Sequence, residues 1–455
     1  MYNFKITTFL ILFTFGFSES FSIKPVLFSQ YLSSGSDWMI KDSPISIYGA
    51  GLDFFYQNKN LTINSTYLQL SLFGNIDNSL FSHSYKQSLP YIDKSKDADG
   101  YWSEIATAKI SYNLDEITLE LGKYDKVWGN GIRSIHISNK APSYPQFGLK
   151  WKINNTLKLT YFHGFLESGI IDSLKNSYYQ VDGNLSRSSN IRRSIAGHRF
   201  EWKPNQKITF SLNETVVYAL RALDINYMIP IIPFYPIENY LGDTDNLQMG
   251  FDFNYKYSLY KTFYLSFFMD EFTPEWLLKN KNHNWFAYQI GYHSEKFFNK
   301  SIKWGLEYNW TDQRIYKHKF KVNDFYSHNQ SLGFWAGPHA QEFIFSIETK
   351  IKEINISFTL TDLKRGLDSL NTIQENYNDL QPKRFDKSFI IEKKRMNSLK
   401  IRKNLNKEIL FTLSLNHLNF ITSFSNKTIR TGKSSFDLAF FYNFKIKPEN
   451  KSSYN

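Results

Sequence analysis

Apolar and polar side chains alternate with a period of two through most of this chain. In "MGFDFNYKY", Met249, Phe251, Phe253, Tyr255 and Tyr257 fall on one face. "IKWGLEYNW" aligns Ile302, Trp304, Leu306, Tyr308 and Trp310, and "FDLAFFYNF" aligns Phe436, Leu438, Phe440, Tyr442 and Phe444. "KITFSLNETVVY" contributes Ile208, Phe210, Leu212, Val216 and Tyr218. "LTINSTYLQLSLF" has Leu61, Ile63, Tyr67 and Phe73 on one side and a second apolar run, Leu68, Leu70 and Leu72, on the other. Successive side chains of a strand point to opposite faces, so the pattern predicts half-buried strands, roughly fourteen of them clear. No sustained 3.6-residue stripe predicts a helix.

Such strands are buried either in a soluble sandwich or propeller, or in an outer-membrane barrel with the apolar face towards lipid. The barrel is the expected fold: all-β, antiparallel and transmembrane. The strands run to about 10 residues, the length a tilted membrane strand needs. Aromatic residues gather towards strand ends, as in an interfacial girdle, and the opposite faces carry Lys, Asn, Asp, Glu and Gln rather than a second apolar layer. The last clear strand ends at Phe444, close to the chain end. At roughly 24 residues per strand the mature chain holds about 18 strands. Connections are unequal, with short turns near 113–115 and long segments over 74–102, 130–147, 167–194, 220–246, 316–340 and 362–387. Long loops on one side are expected to cover or plug the lumen.

Composition agrees. Aromatics are 18% of the 455 residues, and there is no cysteine. The first residues, "MYNFKITTFLILFTFGFSES", pair Lys5 with a short apolar run and small residues at Ser18 and Ser20. They read as a secretory signal peptide over 1–20, followed by one barrel domain over 21–455. No later run reaches the roughly 18 apolar residues of a membrane helix. The expected location is therefore the outer membrane. The formal charge is +12, and residues 383–407 hold ten basic and two acidic residues. That segment suits phosphate-rich lipid headgroups, lipopolysaccharide included, as well as a ligand patch.

Several stretches interrupt the strand pattern, and all of them are polar segments that carry glycines and aromatics. "LGKYDKVWGNGIRSIHISNKAPSYP" holds Trp128, Arg133, His136 and Asn139. "AGHRFEW" holds Arg199, and "NYLGDTDNLQMGFDF" holds Asp243, Asp245 and Asn246. "DFYSHNQSLGFWAGPHAQEF" holds Tyr326, Trp335 and His339. Sugar recognition needs flat aromatic faces, bidentate polar groups and, for an acidic glycan, cations. These residues are the candidate polysaccharide-binding set. They also suit a fold-setting role: glycines and prolines fixing turns, Trp128 in a girdle, and Asp243, Asp245 and Arg199 in a lumen salt network.

The ordered motifs resemble the Wzi-type capsule assembly outer-membrane protein family. The resemblance rests on Gly122, Trp128, Gly129, Gly131, Ser138, Asn139, Ala141, Pro142 and Pro145. It continues through His198-Arg199, Gly242-Asp243, Asp245-Asn246, Asp270-Glu271-Phe272, and Leu332, Gly333, Gly337, Pro338, Ala340 and Glu342. It covers roughly 120–345 and departs from the family pattern at Asn130 and Lys140. It implies a large barrel acting as a surface lectin for capsular or extracellular polysaccharide, without an enzymatic step.

Competing chemistries are weaker. "GDTDN" lacks the later Gly and Glu of a calcium loop. Asp270 and Glu271 are adjacent on a strand, so they cannot both serve one glycosidase site with Glu342. No G-x-S-x-G appears. No cofactor and no metal are expected. The expected partners are the glycan, outer-membrane lipids and the barrel assembly machinery, with no nucleic acid and a monomeric state. The alternative function is a porin or substrate-specific channel.

Overall fold

The computed structural model describes residues 20–33, 43–76, 81, 84–95, 99–180, 187–221, 223–270, 284–297, 300–367, 384–386, 390–424 and 427–443. The expected signal peptide lies outside them except for Ser20, and so do Glu271, Phe272 and Phe444.

The main sheet counts nineteen strands, of which Asp93–Lys94 is a two-residue spur; the other eighteen form the wall. They are β1 (Ser20–Leu32), β2 (Ile45–Gln57), β3 (Leu61–Gly74), β4 (Tyr101–Leu114), β5 (Ile117–Tyr124) and β6 (Tyr144–Lys152). Next come β7 (Leu157–Ile171), β8 (Asn190–Trp202), β9 (Ile208–Ala219), β10 (Asn246–Ser258), β11 (Lys261–Asp270) and β12 (Trp285–Ser294). The last six are β13 (Ile302–Thr311), β14 (Ala340–Ile351), β15 (Ile354–Leu367), β16 (Ile390–Asn404), β17 (Ile409–Phe424) and β18 (Lys427–Asn443). Each pairs antiparallel with its neighbours in sequence, and β1 closes on β18 from Val26↔Asn443 to Leu32↔Asp437. A closed sheet leaves no edge, the condition for crossing a bilayer with strands.

One end carries tight turns. Asp115 and Lys352 open two-residue turns with φ of 47° and 53°, the left-handed geometry a twisted hairpin needs. Three other turns share a device. Asn154, Asn205 and Asn406 each accept two following backbone N–H groups at 2.8 to 2.9 Å. The chain enters β1 and leaves β18 at this end, so the long connections gather at the other. Short turns mark the periplasmic side of such barrels and long loops the cell surface.

The alternation maps onto the wall as expected. Leu52, Leu121, Leu212, Ile290 and Phe440 are exposed on the outside. Ser211, Asn213, Gln248, Asp252, Ser266, Gln289, Glu307 and Asn309 point inward and are buried. Their burial has a cause that periodicity does not reveal. An apolar core sits inside the barrel, where Trp128, Ile135, Ile137, Phe325, Leu332 and Phe334 of two loops pack on Phe162, Ile195, Phe268 and Trp285 of the wall. A smaller core holds the second apolar run of β3, Leu70 and Leu72, against Ile76 and Phe81. The interior is thus partly apolar, correcting the expectation of a polar inner face alone.

A second correction lies outside the wall. Residues 220–245 contain a short helix, Phe234–Tyr240, that the sequence pattern does not predict. Its Phe234 and Ile237 pack with Tyr227 over outward Tyr161, Ala196, Val216 and Tyr218. Glu214 accepts the Phe234 N–H at 2.6 Å and lies 3.0 Å from His198 Nε2.

Candidate functional site

Loops 125–143 and 312–339 meet inside the barrel with the described residues of the connection 75–100. Loop 125–143 leaves β5 where the alternation stops and doubles back on itself. Trp128 N–H donates to the Ile137 carbonyl at 2.9 Å, and Gly129 supplies φ of 116°. Ser134 Oγ donates to the Trp128 carbonyl and accepts the His136 N–H at 3.1 Å. The "GNGIR" tip reaches the opposite wall. There the Glu307 carboxylate accepts the Ile132 N–H at 2.5 Å, the Arg133 N–H at 3.0 Å, the Tyr264 hydroxyl at 2.6 Å and Asn309 Nδ2 at 2.8 Å. Gly131 fits because a Cβ there would stand 2.4 Å from Gln289 Oε1 and Glu307 Oε2.

A second wall carboxylate, Asp252, holds the base of the loop. His136 Nε2 lies 3.0 Å from it, and Arg199 Nη1 and Ser266 Oγ donate to it. Burying charge is tolerable only when it is paired and hydrogen-bonded in this way.

Loop 312–339 locks onto loop 125–143. Ser138 N–H donates to the Leu332 carbonyl at 2.7 Å, Ser138 Oγ to Gly333 at 2.6 Å, and the Tyr316 hydroxyl to Ile135 at 2.7 Å. A two-residue turn at His328 and Asn329, φ 51° and 57°, joins its tiny hairpin. Arg193 of the wall clasps that region, donating to the carbonyls of Val322, Asp324, Tyr326 and Glu167. The connection 75–100 is tied in by Lys140, whose Nζ donates to the carbonyls of Phe81 and Lys86.

The sequence candidates therefore separate. Trp128, at the edge of the Phe162 ring at 5.2 Å, belongs to the plug core and not to the outer girdle. His136 and Arg199 hold Asp252. Asp245 accepts from Arg221 at 2.7 Å and from the Tyr227 hydroxyl at 2.7 Å, and Asp243 pairs with Lys319. In the lumen Arg199 thus pairs with Asp252, not with Asp243 or Asp245. Asn246 donates to the Asn323 carbonyl at 2.9 Å. Tyr326 lies in the clasped region, 4.3 Å below Lys317 Nζ. His339 accepts the Phe385 N–H at 2.9 Å, and its ring stacks on that of Phe385.

Arg133, Asn139 and Trp335 come together with Tyr85, Lys86 and Lys140 around a cleft of about 350 Å³. The Arg133 guanidinium lies 3.8 Å from the Tyr85 ring centre, and its Nε is 3.9 Å from Glu342 Oε1. Trp335 Nε1 donates to the same Glu342 at 3.0 Å, which orients the indole. Tyr85 and Lys86 also border a space lined by Ser357, Thr359, Thr361, Ser398 and Asn416 of β15–β17. Sequence reasoning missed Tyr85, Lys86, Asp252 and Glu307. Only the inward parity of Asp252 and Glu307 within their strands pointed to them; Tyr85 lies in an unpatterned loop.

Burial pushes His339 down to about 3, helped by Arg384 and Lys364, and His318 to about 4, helped by Lys319. Both are therefore neutral at pH 7, consistent with His339 acting as an acceptor.

No family model and no curated protein matches the chain. Among solved structures it is similar to Wzi of Escherichia coli, an outer-membrane protein involved in group 1 capsule assembly and a carbohydrate-binding β-barrel. That match has a TM-score of 0.58 at 13% identity, over 94% of this chain and 85% of the other. It is also similar to Acinetobacter baumannii OccAB2, with a TM-score of 0.54 at 10% identity, over 95% of this chain and 100% of that one. Pseudomonas aeruginosa OpdK, solved with vanillate, aligns with a TM-score of 0.51 at 10% identity, over 95% and 100%. Closed strands, outward apolar faces and these neighbours together make the chain a multi-pass outer-membrane β-barrel.

Proposed function

We propose that this barrel is a surface lectin that binds capsular or extracellular polysaccharide and helps attach it to the cell. The observation that carries the reading is the three-loop plug. It turns the lumen into a scaffold, and it sets aromatic Tyr85 and Trp335 beside the cationic Arg133 and the amide of Asn139 around one cleft. An aromatic face, an amide and a guanidinium suit an acidic sugar. The activity is binding, with no chemical step. Wzi, similar in fold, is a carbohydrate-binding barrel, which supports the reading by analogy.

A second reading is a substrate-specific channel. The small polar side chains of β15–β17 beside the plug favour it, since a conducting path needs such a lining. Deleting the gene and assaying cell-bound and released polysaccharide separately decides between the two. Attachment predicts unchanged synthesis with more glycan shed into the medium. Unchanged retention, together with stable nanosiemens-scale openings in planar bilayers, would replace the lectin by the channel.

A further inference from the structure

One row of paired, outward-facing residues changes character part-way around the wall. It runs Phe267, Tyr288, Trp310, Gln341, Lys364, Lys393, Ile421, Arg430, each opposite the next. From β11 to β13 it is an aromatic belt, with Tyr288 and Trp310 stacked at 4.7 Å. On β15, β16 and β18 it is cationic. Arg395 lies one outward position nearer the turn end on β16, opposite Asp362 of β15.

Folding alone does not account for this patch. Lys364 and Lys393 stand directly opposite each other, and like charges so placed on a sheet destabilise it. Among the described residues, Asp362 is the one carboxylate on the outer faces of β15–β18, and it is already paired with Arg395. Lys393, Arg395 and Arg430 are exposed. Lys364 Nζ lies 3.8 Å from the Phe385 ring centre, held towards the outside. The neighbouring loop adds Arg384, 4.4 Å from the Trp310 ring centre, and an exposed Asp386.

Towards the turn end the same strands become apolar. On β16 the outward series is Lys393, Arg395, Asn397, Leu399, and on β15 it is Lys364, Asp362, Leu360, Phe358. Here the outer wall is dented. A shallow hollow of about 460 Å³ is lined by Phe358, Leu399, Leu415 and Phe436, with Asn397 and His417 at its polar margin. Cations above an apolar hollow, at the loop end of a barrel, match a molecule with anionic groups at the headgroup level and an acyl chain below. Basic clusters at that level attract anionic lipid headgroups.

We infer that the outer face of β15–β18 is a binding site for a phosphorylated glycolipid of the outer leaflet, its phosphates on Lys364, Lys393, Arg395 and Arg430 and an acyl chain in the hollow at Leu399 and Leu415. The site lies on the outside of the wall and does not depend on the glycan reading of the lumen.

The test uses purified full-length protein in detergent and deep-rough lipopolysaccharide, with retention of bound lipid read by native mass spectrometry and affinity by fluorescence titration. Lys364→Gln with Lys393→Gln is expected to weaken binding about tenfold or more. Dephosphorylated glycolipid should bind the unaltered protein comparably weakly, and added salt should weaken the phosphorylated form most. Asp362→Asn, which frees Arg395, should tighten binding; a gain cannot come from misfolding. Heat-modifiable migration checks that each variant is a closed barrel. Equal binding of phosphorylated and dephosphorylated lipid overturns the inference, as does a folded double variant that binds normally. Displacement of the lipid by inorganic phosphate or lipid-free acidic polysaccharide at equal concentration assigns the patch to that ligand and also overturns it.

Discussion

The backbone N–H of Arg133, at the tip of an inserted loop, donates at 3.0 Å to the Glu307 carboxylate on the far wall of the barrel. The next N–H back along the chain, from Ile132, donates to the other oxygen of the same group. One carboxylate thus fixes the end of a loop that has no ladder of strand bonds. Glu307→Ala leaves these two amides, the Tyr264 hydroxyl and one Asn309 N–H without that acceptor, at about 1–3 kcal/mol for each donor that stays buried and unpaired. The wall ladders are untouched, so the barrel still assembles. Expected is a folded, heat-modifiable protein with higher single-channel conductance and faster protease cleavage within 125–143. A variant as closed and as resistant as the original would show that Glu307 does not hold the plug.

Gly131 tests the same contact sterically. Its missing Cβ would stand 2.4 Å from both Gln289 Oε1 and Glu307 Oε2. Gly131→Ala therefore pushes the tip off the wall, at about 1–3 kcal/mol for overpacking. Cleavage in 125–143 should rise as for Glu307→Ala, while Gly305→Ala, whose Cβ would meet its nearest atom at 3.3 Å, serves as the milder control. Equal resistance of the two alanine variants would mean that the tip has room to shift.

The wall was legible in the sequence because a strand's period of two survives wherever one face meets lipid. Phe251, Phe253, Leu306 and Phe440 announce their face without help from distant residues. The plug was legible only as an interruption. Trp128 reads equally well as sugar platform or girdle, since both want an aromatic, and only the bridge to Ile137 and the Phe162 contact place it in the plug core instead. His136 carried no visible partner and Arg199 was matched with Asp243 and Asp245, because Asp252 lies in another strand among unremarkable alternation. The helix at Phe234–Tyr240 was missed because it is too short to show a stripe. Of the candidate residues, Arg133, Asn139 and Trp335 share a cleft, whereas Asp243 and Asp245 face Lys319 and Arg221.

Acid should loosen loop 312–339. His339 and His318 have folded-state values of about 3 and about 4, below the ordinary 6.5. Protons therefore bind the released state more readily than the packed one. Stability is fully present above pH 6.5 and falls as pH drops from there towards 4, by up to about 1.4 kcal/mol per pH unit for each histidine. A protonated His339 also loses the lone pair that accepts the Phe385 N–H. Hydrogen exchange of residues 312–339, corrected for intrinsic rate, should accelerate between pH 7.5 and 5. His318→Asn with His339→Gln should flatten that dependence. A pH-independent exchange profile in the unaltered protein would contradict the assignment.

Arg133 should separate recognition from plugging. Its backbone N–H holds the tip, but its side chain lies over Tyr85 at the cleft and meets Glu342 only at 3.9 Å. Arg133→Gln keeps the backbone bond and removes the cation. If the cleft binds an acidic glycan, retention of cell-bound polysaccharide should fall several-fold while conductance stays low. Unchanged retention with a closed pore would move the glycan away from this cleft.

Lys140 couples the cleft to a loop that the sequence left unpatterned. It is fully buried, and its ammonium donates to the carbonyls of Phe81 and Lys86, while its own carbonyl accepts the Ser88 N–H at 3.0 Å. A long cation reaching two carbonyls of another loop orders that loop without any strand pairing. Lys140→Met keeps much of the volume and the carbonyl of residue 140, but it deprives the Phe81 and Lys86 carbonyls of their charged donor, at about 1–3 kcal/mol. Loop 75–100 should then move while 125–143 and 312–339 stay pinned by Glu307, Asp252 and Ser138. The expected signature is selective: faster hydrogen exchange over 84–95, a smaller rise in conductance than Glu307→Ala produces and, if the cleft binds the proposed glycan, weaker glycan retention because Tyr85 and Lys86 leave it. Uniform loosening of all three loops would show that the plug yields as one unit and that Lys140 is not a separate fastening.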